Sequence, residues 1–126
     1  MKKPKLKRIP IASIKPTEPA ILEDKLRKIA PYYNGNENSI KPITGYQFEG
    51  FYYPDNGNNR AVFLYQKGHT HILAYVQPFD QDEVAQLQAI HQRVAAEGVH
   101  SIDDLAKRIF QKRQYDAVMR VYERKK

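Results

Sequence analysis

The chain reads YYPDNGNNRAV from Tyr52 to Val62. The first residues are aromatic and favour a strand, Gly57 interrupts this run, and the residues from Asn59 onward favour a helix. Glycine adopts backbone angles that other residues avoid, so it permits an abrupt change of direction. We therefore predict a strand, a glycine turn and a helix, with Asn58 or Asn59 as the N-cap of the helix.

This turn is a candidate anion site. The first amides of a helix have no intrahelical partner, and they lie at the positive end of the helix dipole. Arg60 adds a planar guanidinium, which can donate two parallel hydrogen bonds to an anion, in the same first turn. One interpretation is a phosphate held by Gly57, Asn58, Asn59 and Arg60. The other is a tight connection with a solvated arginine, because Asp, Asn and Gly are common in turns.

Composition narrows the class of protein. The chain has 126 residues, of which 41% are hydrophobic, and this suits one compact domain. It has no cysteine, which excludes disulfides, cysteine-ligated zinc and thiol catalysis. No apolar run approaches the roughly 18 to 20 residues of a membrane span, and the basic start lacks the apolar region of a signal peptide. We expect a cytoplasmic protein without a membrane partner.

The net charge of +7 is concentrated at the two ends of the chain. Residues 1–15 carry six Lys or Arg and no acidic residue, and residues 101–126 carry eight basic and four acidic residues. The central residues 16–100 carry seven basic and ten acidic residues. Basic ends can neutralise nucleic-acid phosphates, or they can serve as solvated tails. Residues 1–7 are predicted to form a basic N-terminal arm.

Apolar spacing and turn residues predict an alternation of strands and helices up to residue 78. The predicted elements are a strand at 9–14, a helix from Glu18 to about Ala30, hairpin strands at 42–48 and 51–53 around Glu49-Gly50, a helix from Asn59 to Lys67 closed by Gly68, and a strand at 71–76. The helix at Glu18 is expected to be capped by Thr17 or Glu18. This order indicates an α/β (α+β) fold with a small mixed sheet.

The remaining residues, 79–126, are predicted to form a helical C-terminal extension of the core at 8–78. Asp80 and Glu83 resemble a capping box that opens a helix ending at Gly98. Ser101 and Asp104 open the next helix, which is predicted to carry Ile109 and Phe110 on one face, and a last helix runs from about 114 to 124. All parts are expected to form one compact domain.

The order of elements and three short segments resemble the ParB/sulfiredoxin superfamily. Ile9-Pro10-Ile11 through Pro16 resembles its first strand, Ile40-Lys41-Pro42-Ile43 resembles the entry to its central hairpin, and Gly57-Asn58-Asn59-Arg60-Ala61 resembles its G-x-x-R phosphate motif. The likeness covers residues 8–77. It implies a small mixed sheet and a nucleotide, ATP or CTP. It also implies that Gly57 and the amides of Asn58 and Asn59 cradle phosphate while Arg60 neutralises it.

Departures from the family pattern separate its branches. Sulfiredoxin needs a cysteine at the position that is Asn58 here, so sulfinic-acid repair is excluded. Partition proteins of the ParB type have a second nucleotide motif, a DNA-reading helix-turn-helix and a dimerisation tail. Only about 50 residues follow the core, so we do not expect a complete partition protein.

A partial likeness to the free-serine kinase branch points to a catalytic pair. Lys15-Pro16-Thr17-Glu18 has the order in which that branch carries a glutamate, so Glu18 is a candidate general base for phosphoryl transfer. A carboxylate stabilising a helix N-terminus is the alternative. That branch also has an aspartate directly before the motif glycine. Here Asn56 holds that place and Asp55 lies one residue earlier, which leaves Mg²⁺ binding and kinase activity open.

The sequence therefore predicts a ParB-like nucleotide-binding protein that holds a nucleoside triphosphate at Gly57–Arg60, with phosphotransfer or nuclease-type activity open. The alternative is a non-enzymatic DNA- or RNA-binding accessory factor that uses the basic termini. The tyrosines at 32, 33, 52 and 53 could stack on bases, although aromatic residues in such positions more often pack. His69 and His71 have no recognisable third partner, so no metal site is predicted. The oligomeric state is not decided.

Overall fold

Strands and helices alternate along the chain in a computed structural model that describes residues 2–125. The strands of this part are β1 (Lys5–Pro10), β2 (Ile21–Leu22), β3 (Ile43–Phe48), β4 (Phe51–Asn56), β5 (His71–Val76) and β6 (Ile109–Phe110). The α-helices are α1 (Glu23–Ile29), α2 (Asn58–Gln66), α3 (Gln81–Ala95), α4 (Ile102–Leu105) and α5 (Lys112–Arg124). Short 3₁₀ turns lie at Ile11–Ser13, Ala30–Tyr32 and Glu37–Ser39.

Four strands form the main sheet, in the order β1-β5-β3-β4. β3 is parallel to β5, whereas the β1–β5 and β3–β4 pairs are antiparallel. A second, two-stranded sheet pairs β2 with β6 in parallel. The predicted α+β fold with a small mixed sheet is confirmed.

The core lies between the main sheet and α2. Ile9 faces Ile72 across the β1–β5 pair, and both side chains are buried. Val62 and Leu64 of α2 are fully buried in the same cluster. Tyr52 is also fully buried, and its hydroxyl donates a 2.8 Å hydrogen bond to the backbone oxygen of Tyr75. The middle of α2, from Ala61 to Leu64, is therefore part of the core.

Local turn chemistry confirms several predicted boundaries. Glu49 and Gly50 form the two-residue turn between β3 and β4, with φ of 52° and 83°. After α2, the amide of Gly68 bonds to the Tyr65 oxygen and the amide of His69 bonds to the Leu64 oxygen, as in a Schellman cap. Short-range sequence signals thus set the start of β4 and the end of α2.

The beginning of the chain differs from the prediction in two places. β1 starts at Lys5 instead of Ile9, so part of the predicted arm at 1–7 is an edge strand, and residues 11–13 form a 3₁₀ turn. Helix α1 starts at Glu23 instead of Glu18, and its N-cap is Leu22, without a side-chain cap. The helix starts late because residues 21–22 are extended and pair with β6. The expected capping by Thr17 or Glu18 was therefore wrong.

The C-terminal residues add a strand as well as helices. Asp80 caps α3 by accepting from the amides of Asp82 and Glu83, as predicted. Ser101 likewise caps α4 by accepting from the amide of Asp104. Residues 109–110, predicted as helical, instead form β6 because they pair with β2. Within residues 2–125, no helix is both long and apolar enough to cross a membrane.

The close approach of Gly57 to β3 gives a stability prediction. Gly57 has φ of 115°, and a Cβ at this position would overlap the side chain of Ile43. We expect Gly57→Ala to lower the free energy of unfolding by about 2–4 kcal/mol, because backbone strain adds to overpacking. Urea denaturation followed by circular dichroism measures this loss.

Gly68→Ala is the matched control for this substitution. Gly68 also has a positive φ, 89°, but no atom lies within 4 Å of an added Cβ. Its loss should be about 1 kcal/mol, from backbone strain alone. Equal losses in the two variants would contradict the contact between Gly57 and Ile43.

Candidate functional site

Gly57 itself occupies the N-cap position of α2, so the predicted capping by Asn58 or Asn59 was wrong. The side chain of Asn58 points away from the helix end and is only 2% exposed. Its Oδ1 accepts from the Thr17 amide at 3.0 Å, and its Nδ2 donates to the Thr17 hydroxyl at 2.9 Å. Asn58 therefore ties the start of α2 to the segment that precedes β2.

Arg60 is half-buried in the first turn of α2. Its Nη1 donates to the backbone oxygens of Pro42, at 2.8 Å, and Lys41, at 3.3 Å. Burial lowers the pKa of the guanidinium, which nevertheless stays protonated because its ordinary pKa is so high. A guanidinium has five N–H donors. The bonds to Pro42 and Lys41 use one nitrogen, so Arg60 keeps donors for a ligand.

A cleft of about 520 Å³ opens beside Arg60. Its walls come from the end of α1, the 3₁₀ turns at 30–32 and 37–39, and the residues before β3. The lining residues are Lys28, Ile29, Tyr32, Asn38, Ser39, Ile40, Lys41, Pro42 and Arg60. They include three cations and no carboxylate, and this volume falls in the range of small-molecule sites. The cleft is therefore electropositive and suited to an anion.

The cleft only partly coincides with the predicted turn. Arg60 lines it, but Gly57, Asn58 and Asn59 are not among its lining residues. Lys28 and Lys41, both exposed, were missed by the sequence reasoning because they lie far from the turn in the chain and neither belongs to the G-x-x-R motif. A weak signal was present, since Lys41 lies in the Ile40–Ile43 segment that resembles the family.

The segment from Lys15 to Ile21 is fixed by several hydrogen bonds besides those of Thr17 to Asn58. The Lys15 amide donates to the Tyr52 oxygen at 2.8 Å, and the ring Nδ1 of His91 donates to the Pro16 oxygen at 2.7 Å. The Nε of Arg108 donates to the Pro19 oxygen, also at 2.7 Å. Strand β4 and the C-terminal residues thus hold the backbone on both sides of Glu18.

Glu18 lies in this fixed segment and outside any helix. Partial burial raises the pKa of its carboxyl, and the positive charge of Lys25 opposes this rise. Burial also raises the pKa of Tyr115 in α5, and the negative charge of Glu18 adds to that effect. The ionisable neighbours of Glu18 are therefore Lys25 and Tyr115, and the structure does not pair it with Asp55.

Asp55 lies on the exposed part of β4, where the pairing with β3 is irregular. Its carboxylate accepts a hydrogen bond from the Thr44 hydroxyl. The pKa of Tyr52 is raised by burial and then by the charge of Asp55, while the charge of Arg60 lowers it. Asp55 and Arg60 are therefore each close enough to Tyr52 to influence the pKa of its hydroxyl.

The two histidines near β5 have separate partners. The Tyr33 hydroxyl and the Nε2 of His69 are hydrogen-bonded at 2.6 Å, and the Thr70 hydroxyl lies 2.9 Å from the Nδ1 of His71. In residues 2–125, no group of three or more His, Cys, Asp or Glu is placed to hold a metal ion.

Comparisons with protein-family models, with curated proteins and with solved structures give no match. The likeness to the ParB/sulfiredoxin superfamily therefore stays a prediction from the sequence.

The raised pKa of Glu18 predicts how stability depends on pH. The folded protein holds the Glu18 proton more tightly than the unfolded chain, so ionisation of this buried carboxyl weakens the fold as the pH rises through its folded pKa. We expect Glu18→Gln to be more stable than the native chain at pH 7–8. This gain should disappear near pH 4, where both side chains are neutral. Thermal unfolding across this pH range measures it.

Glu97→Gln is a matched control, because Glu97 is half-buried but forms a 2.9 Å ion pair with Lys125. That substitution removes a favourable charge, so it should not stabilise the protein at neutral pH. A Glu18→Gln variant that loses stability at pH 7–8 would show that the carboxylate has a favourable partner, against the account given for its pKa.

Proposed function

We propose that this protein binds a nucleoside triphosphate, ATP or CTP, with the phosphates in the cleft beside Arg60. The observation that carries the proposal is the lining of the cleft by Lys28, Lys41 and Arg60 without any carboxylate. Such a cluster of like charges is unfavourable by itself, and a polyphosphate relieves the repulsion. The electropositive cleft is a feature of this α+β fold whichever ligand it binds.

The three cations have different roles in this proposal. Arg60 is held at Nη1 by the carbonyls of Lys41 and Pro42, so the plane of its guanidinium is fixed while Nη2 and Nε keep N–H donors for phosphate oxygens. Lys28 and Lys41 are exposed and act as mobile point charges on the outer phosphates. The amides of Asn58 and Asn59 do not contact the phosphates in this proposal. They attract them at longer range, because they lie at the positive end of the α2 dipole.

Phosphotransfer or nuclease-type activity is a further part of the proposal. Asp55 is exposed and shares Tyr52 with Arg60 as a neighbour, so it is the carboxylate we assign to a Mg²⁺ ion that enters with the nucleotide. The raised pKa of Glu18 suits a general base, and its neighbour Thr17 is bonded to α2. The ionisable neighbours of Glu18, Lys25 and Tyr115, do not line the cleft. For this reason nucleotide binding is the main proposal and catalytic turnover is secondary.

Removal of single lysines tests the cleft. We expect Lys28→Ala and Lys41→Ala each to weaken ATP or CTP binding by about tenfold, because each removes one charged contact to phosphate. Isothermal titration calorimetry with each nucleotide, with and without Mg²⁺, measures the effect. Arg60→Lys should lower affinity further, since it loses the fork, but circular dichroism must first show that the variant is folded.

Lys25→Ala is the matched control, because Lys25 lies on the same helix as Lys28, is exposed, and does not line the cleft. It should leave affinity within about twofold of the native value at 0.15 M salt, where distant charges are screened. Equal losses for Lys25→Ala and Lys28→Ala would mean that the nucleotide senses only net charge, and would refute the site.

The alternative, a DNA- or RNA-binding accessory factor, has one observation in its favour. Lys5 and Lys7 are exposed on β1, at the edge of the main sheet. Lysines on an edge strand also prevent pairing with other chains, so they have a structural explanation. If the termini bind nucleic acid, Lys5→Ala with Lys7→Ala will weaken oligonucleotide binding in a salt-dependent manner while Lys28→Ala does not.

A further inference from the structure

We infer that Tyr32 is the stacking platform for the nucleobase of the ligand in this cleft. The inference rests on the proposed function, because it assigns the second half of a nucleotide whose phosphates face Lys28, Lys41 and Arg60. The ring of Tyr32 would favour a nucleotide over a simple polyphosphate, because only the nucleotide has a base to stack on it.

Tyr32 differs from the other three tyrosines that the sequence offers for stacking. Tyr52 and Tyr53 are buried in β4. The ring of Tyr33 packs edge-on against Phe63 at a centroid distance of 5.3 Å, and its hydroxyl bonds to His69. Tyr32 is 75% exposed and lines the cleft. It is the one member of the set whose ring is open to a ligand.

Three of the other exposed aromatic side chains in the described part of the chain have partners, and the fourth, Tyr75 of β5, does not line the cleft. The ring of Phe79 stacks on Phe48, the ammonium of Lys15 lies over Phe51 at 4.2 Å, and the Tyr65 hydroxyl bonds to Asp103. Within residues 2–125, Tyr32 makes neither a ring contact nor a side-chain hydrogen bond. An unused aromatic face at the wall of an electropositive cleft has the chemistry that a base requires.

The backbone beneath Tyr32 is held in place although its ring is free. Pro31 restricts the 3₁₀ turn at 30–32, and the Tyr33 amide closes that turn by bonding to the Ala30 oxygen at 3.1 Å. The packed ring and bonded hydroxyl of Tyr33 anchor the next residue. A fixed backbone and only two side-chain torsions mean that ordering the Tyr32 ring on a base costs little entropy.

The same cleft offers apolar surface and one polar group for a base. Ile29, Ile40 and Pro42 contribute apolar surface beside Tyr32. Asn38 is exposed in the lining, and its side-chain amide makes no hydrogen bond within the described residues. An amide presents both a donor and an acceptor, so it can pair with the edge of a base. These groups fit the base and ribose better than they fit further phosphate.

The test compares ATP and CTP with inorganic tripolyphosphate, a similarly charged polyphosphate that has no base. Calorimetry on the native chain should show the nucleotides binding about tenfold more tightly than tripolyphosphate, the size expected for one base stacked on an aromatic ring. Tyr32→Ala should remove this preference and leave the affinity for tripolyphosphate unchanged. Tyr32→Phe should keep the preference, because the ring and not the hydroxyl makes the stack.

Phe79→Ala is the control, because it removes an exposed aromatic ring outside the cleft. It should leave all three affinities unchanged. Equal binding of nucleotide and tripolyphosphate by the native chain, or a Tyr32→Ala variant that keeps the preference, would overturn the stacking subsite alone. Binding of none of the three ligands would overturn the proposed function and the subsite together.

Discussion

The contact between Gly57 and Ile43 is the constraint on which the site depends. Gly57 turns the chain from β4 into α2 with φ of 115°, and the space where a Cβ would lie is filled by the Ile43 side chain. This fixes the start of α2 against β3. Arg60 follows one turn later, and its Nη2 lies 3.1 Å from the position that a Cβ of residue 57 would take. The arginine can therefore reach the carbonyls of Lys41 and Pro42, and this position makes it one wall of the cleft.

A second set of contacts joins the segment before β2 to the start of α2 and to the C-terminal residues. Asn58 bonds to Thr17, Arg108 bonds to the backbone at Pro19, and the Ile21 amide bonds to the Arg108 oxygen at 2.9 Å. Because β6 pairs with β2, the C-terminal residues are part of the structure that holds Glu18. The position of Glu18 therefore depends on residues well outside the first 78.

Short stretches of sequence were enough to predict some turns and helix caps, but not the elements that depend on contacts between distant residues. The Glu49-Gly50 turn, the cap at Gly68 and the N-caps Asp80 and Ser101 each depend on a few adjacent residues, and the sequence predicted them correctly. β2 and β6 are two residues each, and they form only because distant parts of the chain meet. The same holds for the cleft, since Lys28, Lys41 and Arg60 come from three separate elements. Sequence reasoning found Arg60, which belongs to the G-x-x-R motif, and missed the two lysines, which lie outside that motif.

The first measurement to make is a map of ATP binding by amide chemical shifts in ¹⁵N-labelled protein. If ATP binds in the cleft beside Arg60, the largest changes will fall in residues 28–32, 38–41 and 57–60, and β1 and α5 will change little. Changes confined to β1 or α5, or an unchanged spectrum at millimolar ATP, would contradict the claim that the cleft beside Arg60 is the nucleotide site.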